Sequence, residues 1–216
     1  MSQHTMQPYV LQTIDKAQQE SIERIRPLLS DSESKSVLPT LDEILGIFAQ
    51  KQLPQAIIAH SITVAYVAVC IAGWLKASCK CIKIDLPKLA AGALLHDIER
   101  LQPNHASRGA DFVVGMGYPS LEPMIAVHME LIFLPGQALG EEAVLYLADK
   151  ICQGSEIICL ESRLVQCIQR YGDLPNIRRK FKTACMIRDR IVETIETTNI
   201  LATEKILWET MMAKKM

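Results

Sequence analysis

The stretch Leu89-Ala90-Ala91-Gly92-Ala93-Leu94-Leu95-His96-Asp97-Ile98-Glu99-Arg100 is an apolar, small-residue run that ends in an adjacent histidine and aspartate. Asp85 supplies an N-cap for a helix here, and Pro87 is tolerated in the first turn, where no backbone donor is missed. Neighbouring side chains on a helix point about 100° apart, at about 3.6 residues per turn. His96 and Asp97 can therefore fan around one metal ion while the second carboxylate oxygen reaches another. Gly92 costs roughly 1 kcal/mol relative to Ala in a helix interior, a cost that makes sense if another helix packs closely. The expected neighbour is the helix bearing His60, brought to the His96-Asp97 end.

Upstream, Gln55 to Leu75 contains no charged residue, and Pro54 opens it as a helix. A run of this length raises the question of a membrane span, but His60, Ser61, Thr63 and Tyr66 dilute it and no second span follows. A helix apolar on all sides also suits the centre of a bundle, so no membrane partner is expected. Thr40 with Glu43 forms a capping-box signature for a short helix through about Gln50. The apolar spacing from Pro8 to Leu29 predicts an amphipathic helix, followed by the polar, serine-rich linker Ser30 to Ser36. That N-terminal helix is expected either to pack on the main body or to mediate self-association as a homodimer.

Downstream, Asn104 is the expected N-cap of a helix that holds His105 in its first turn and ends at Gly115-Met116-Gly117. A further helix is expected from about Leu121 to Leu134, containing His128. Glu141 and Glu142 open the next one, where acidic residues complement the positive N-terminal end of the dipole. Asp149 is the lone carboxylate in its apolar stretch, and a buried unpaired carboxylate costs several kcal/mol, so it calls for a cation or strong donors. Helices over Leu160 to Tyr171 and about Asn176 to Thr198, then a short helix or frayed tail from Thr203, complete an all-α chain. No phosphate-cradling glycine loop or internal repeat is evident.

Composition agrees. Among 216 residues, 49% are hydrophobic but only 5% aromatic, so the core is built from aliphatic side chains that favour helices. The net charge of -1 and the absence of a long basic block give a nucleic-acid backbone nothing evident to bind. Seven cysteines without CxxC spacing fit reduced thiols in a cytoplasmic protein. Cys79-Lys80-Cys81 reads as an inter-helix loop, and Met1 to Thr5 carries no signal-peptide pattern.

Four histidines lie between residues 60 and 128, each on a different expected helix or helix end: His60, His96, His105 and His128. With Asp97 and Asp149 they form a donor set suited to two ions. His60, His96, Asp97 and Asp149 would serve one, and His105, His128 and a bridging Asp97 the other. The order His, His-Asp, His, His, Asp resembles the HD-domain superfamily of metal-dependent phosphohydrolases, in its six-ligand dinuclear form. Asn104 to Ala110, Gly117-Tyr118-Pro119, Leu145 to Lys150 and Leu160 to Arg163 resemble a bacterial HD branch found fused or adjacent to nucleotidyltransferases similar to those of molybdenum-cofactor synthesis. One departure is Arg100, where many relatives carry Lys; the charge is kept but the donor geometry differs.

The resemblance implies an HD-domain helical bundle over residues 41–200, an N-terminal helical extension and linker over 1–40, and a tail or short helix over 201–216. It implies a hydrolase with a divalent transition-metal cofactor, two ions of iron, manganese, nickel or zinc, acting on a nucleotide or small phosphate ester. Two ions about 3.5 to 4 Å apart polarise a phosphoryl oxygen and hold a bridging hydroxide. Asp97, Arg100 and Arg108 are the expected catalytic residues, and Lys150 and Arg163 further candidate phosphate-binding cations, with a solvated surface charge the plainer reading for Lys150. Two other readings share the ligands: a di-iron oxygenase of the same superfamily, and a non-catalytic module that senses bound nucleotide.

Overall fold

A computed structural model describes residues 14–30, 38–197, 200–201 and 204–213. The N-terminal end of the Pro8–Leu29 helix, the serine-rich linker beyond Ser30 and the terminal Lys214-Lys215 pair lie outside them. Within the described residues the chain is all-α apart from one two-residue hairpin.

Helix α1 spans Lys16–Ile25. It starts where Asp15 caps it: the Gln18 amide donates to Asp15 Oδ1 at 2.8 Å, and the Gln18 side chain accepts from the Asp15 amide at 3.1 Å. Ile22 and Ile25 are buried, so this helix spends its apolar face inside the chain. Helix α2, Leu41–Gln50, begins with the expected Thr40–Glu43 box, closed by bonds of 3.2 and 2.7 Å. Helix α3, Gln55–Ser78, is the hub, packed against α1 and against elements throughout the later chain. It is long and apolar enough to cross a membrane by length and composition alone, but its buried residues fall on every side because other helices surround it.

Helix α4, Leu86–Leu95, is capped by Asp85, whose Oδ1 accepts from the Lys88 amide at 3.0 Å. It stops one residue before the histidine. From there the backbone tightens into turns bonded three residues apart, with Ile98 N on Leu95 O at 3.0 Å and Arg100 N on Asp97 O at 2.9 Å. The atoms nearest Gly92 belong to Met124, not to the expected neighbour. A Cβ there would meet the Met124 sulfur at 2.1 Å, so the missing side chain admits the helix that carries His128.

Helix α5, His105–Gly115, starts at Asn104 as expected, but Asn104 adopts a left-handed conformation (φ 53°) and makes no side-chain cap. Helix α6 is only Glu122–Val127, preceded by a 3-10 turn, instead of running to Leu134. It ends because the Ile125 carbonyl is taken by His128, through the backbone amide at 3.4 Å and ring Nδ1 at 2.7 Å. Helix α7, Glu141–Ile151, leads into β1 (Cys152–Gln153) and β2 (Glu156–Ile157), paired antiparallel around Gly154, whose φ of +59° suits a residue without Cβ.

Helices α8 (Leu160–Tyr171), α9 (Pro175–Thr194) and α10 (Lys205–Met212) close the chain. The last packs Trp208 edge-on to Trp74, with ring centroids 5.7 Å apart, and the indole of Trp74 donates to Glu204. Arg24 of α1 reaches Tyr66 at 3.1 Å and Glu204 at 3.8 Å, so the two ends of the chain meet over α3. The cysteine expectation needs one correction: Cys79 and Cys81 are joined as a disulfide in the α3–α4 loop, because the turn brings their Cα atoms to 5.3 Å. The other five are free thiols, with Cys70, Cys152 and Cys159 buried.

Candidate metal centre

Six side chains from five places in the sequence meet in one pocket of donors. His60 comes from the second turn of α3, His96 and Asp97 from the tightened end of α4, His105 from the first residue of α5, His128 from the end of α6, and Asp149 from the last turn of α7. Asp97 stands at the centre. Its Oδ2 faces His96 Nε2 at 3.6 Å and His60 Nε2 at 3.8 Å; its Oδ1 faces His105 Nε2 at 3.3 Å and His128 Nε2 at 3.5 Å. Asp149 Oδ1 completes the first half, 3.1 Å from His60 and 3.7 Å from His96. Two groups result, His60-His96-Asp97 and Asp97-His105-His128, each with ligand atoms within 4.8 Å of one another, and each could hold a metal ion.

Backbone carbonyls decide which ring nitrogen faces inward. His96 Nδ1 lies 2.7 Å from Ala93 O, His128 Nδ1 2.7 Å from Ile125 O, and His60 Nδ1 3.3 Å from Gly154 O. A carbonyl only accepts, so each Nδ1 donates there and Nε2 is the ring nitrogen turned toward the carboxylates. At His105 the inward nitrogen accepts from Arg100 Nη1 at 3.0 Å, and a guanidinium only donates. Yet His105 Nε2 and His128 Nε2 are 3.3 Å apart. Imidazole nitrogens and anionic oxygens thus crowd together, and His96 Nε2 and Asp97 Oδ1 are buried without a hydrogen-bond partner. Buried polar atoms without partners are costly, and a metal ion among them removes the cost. The anchoring of the outer ring nitrogens is the support that metal-bound histidines ordinarily have.

The titration of the cluster follows the same electrostatics. Burial opposes a charged His96, but the carboxylates of Asp97 and Asp149 outweigh it and raise its pKa. His128 is lowered, chiefly by burial. Burial would raise both carboxyls. The imidazoles of His96, His105 and His128 instead hold Asp97 far below the usual carboxylate range, and the Lys150 ammonium with His60 and His96 does so for Asp149.

The expected cations part company. Arg100 lies at the rim, 45% exposed, with Nη1 also 3.6 Å from Asp97 Oδ1. Arg108 is exposed on α5 and, among the described residues, makes no hydrogen bond or ion pair with the cluster, while Arg163 is half-buried on α8. Lys150 overturns its reading as a solvated charge. It is 9% exposed, pairs with Asp149 Oδ2 and donates to the His128 carbonyl at 3.2 Å. The carbonyls of Ala93, Ile125 and Gly154 carry no side-chain signature and could be found only once the backbone was placed.

No curated protein and no solved structure matches the chain. Residues 57–154, just under half of the chain, match the family model of the HD domain; the match supports the HD superfamily, and the span contains all six clustered side chains.

Proposed function

We propose that this chain is a metal-dependent phosphohydrolase acting on a nucleotide or a small phosphate ester. The observation that carries the reading is Asp97, whose two oxygens are turned to two different histidine pairs inside a segment that matches the HD domain. His60, His96, Asp97 and Asp149 would hold one ion, and His105, His128 and Asp97 the other. Mixed imidazole and carboxylate ligation suits iron, manganese, nickel or zinc. Bound divalent ions supply Lewis-acid polarisation of a phosphoryl oxygen and a nucleophile from water near neutral pH.

The protein's own part is positioning. The outer carbonyls lock the histidine rings, burial keeps the carboxylates free of bulk water, and Arg100 at the rim presents donors to the non-bridging oxygens of a phosphate. Loading the purified protein with each metal, counting bound ions and assaying a panel of phosphate esters and nucleotides tests this reading. Asp97→Ala is expected to lose both ion binding and hydrolysis, and retention of both refutes it. Oxygen uptake with reduced iron and an organic substrate, or nucleotide binding without turnover under every metal, would replace it with the oxygenase or the sensor.

A further inference from the structure

We propose that Lys150 is a positioning residue that keeps Asp149 a one-oxygen ligand and so holds a coordination place open in the metal centre. This rests on the reading of the cluster as a metal centre. The Lys150 ammonium has three faces, and all are occupied within the fold. One donor is on Asp149 Oδ2, another is on the His128 carbonyl at 3.2 Å, and the Tyr146 ring lies beneath it at 4.7 Å from the centroid. With 9% of the residue exposed, no donor is left for an incoming phosphate.

The consequence lies on the other side of the carboxylate. With Oδ2 engaged, Asp149 turns only Oδ1 toward His60 and His96. A carboxylate that binds an ion through both oxygens fills two places in its shell, whereas one that binds through a single oxygen leaves a place for water or substrate. Burying an ammonium is costly, and the cost is recovered only by close pairing. The cage provides that pairing. The same side chain ties α7 to the end of α6 through the His128 carbonyl, and so links the histidine of one half of the cluster to the carboxylate of the other.

Visible absorption of the Co2+-loaded protein provides the test, since four- and five-coordinate Co2+ absorbs strongly and six-coordinate Co2+ weakly. Wild type is expected to show the strong band. Lys150→Met frees Oδ2 to join the shell of the ion at His60 and His96, so the absorption of that site should be lost, up to about half of the band when both sites are filled, at undiminished cobalt content. The double variant Lys150→Met/Asp149→Asn should regain the strong band, because an amide offers the ion only its oxygen; it also removes the unpaired buried carboxylate if the single variant fails to fold. A single variant that binds cobalt with the wild-type spectrum, or a folded double variant with a weak band, overturns the assignment of Lys150. Wild-type protein that takes up no metal at all instead overturns the metal-centre reading beneath it.

Discussion

Replacing Gly92 with alanine sets two opposing effects against each other. Alanine is favoured over glycine in a helix interior by about 1 kcal/mol, so an unobstructed site on α4 would gain stability. Here the new Cβ would lie 2.1 Å from the Met124 sulfur, 3.0 Å from its Cγ and 3.2 Å from its Cε. Methionine is flexible, but Met124 is fully buried and has nowhere to go without moving its neighbours. Overpacking of this kind costs about 1 to 3 kcal/mol, so the net expectation is a loss of up to about 2 kcal/mol, read as a lower urea midpoint at unchanged slope. Met124 lies one turn before His128 on α6, so the displacement should weaken ion binding by the His105-His128 half more than by the His60-His96 half. Met124→Ala in the same background should relieve the clash, giving a coupling of about 0.5 to 3 kcal/mol between the two changes. A Gly92→Ala protein more stable than wild type by about the full 1 kcal/mol would refute the close approach of α6 to α4.

Two other predictions concern parts of the fold far from the metal centre. Ile25 is fully buried where α1 packs, and Ile25→Ala should cost about 2 to 5 kcal/mol in urea unfolding; a cost well under 1 kcal/mol would show that α1 is not part of the cooperative unit. The Cys70 thiol is pushed from 9.0 up to about 12, first by burial and then by the Glu204 carboxylate. Its folded pKa is raised, so its contribution is fully present below about 9 and is lost as pH climbs to about 12. Tyr66, also raised to about 12, adds to the same trend. Unfolding midpoints taken across that range should fall with pH, less steeply in Cys70→Ala. Equal slopes would show that this thiol is not the titrating group.

Local signals with a local cause read correctly from the sequence. The Thr40–Glu43 box and the Asp85 cap involve side chains three residues from the amides they satisfy. The helix over Leu160–Tyr171 has the bounds the sequence predicts. Two other expectations failed, one for a local reason and one because of a distant partner. The sequence predicts a helix to about Leu134, but His128, three residues on, takes the Ile125 carbonyl and the helix stops. Lys150 looked like a surface charge because its neighbours in sequence say nothing of the His128 carbonyl that receives it.

By itself the sequence determined the helical class, most helix starts, and the order of histidines and aspartates that suggests a metal-dependent hydrolase, because helix periodicity, capping and ligand chemistry are short-range properties of the chain. Tertiary structure decided what no window of sequence contains. It split the Asp97 carboxylate between two histidine pairs, turned the Nε2 atoms of three imidazoles inward by anchoring their outer nitrogens on backbone carbonyls, and folded Lys150 beneath Asp149. Each of these depends on where separate helices cross, and that is set by close packing, as in the gap at Gly92 that admits Met124.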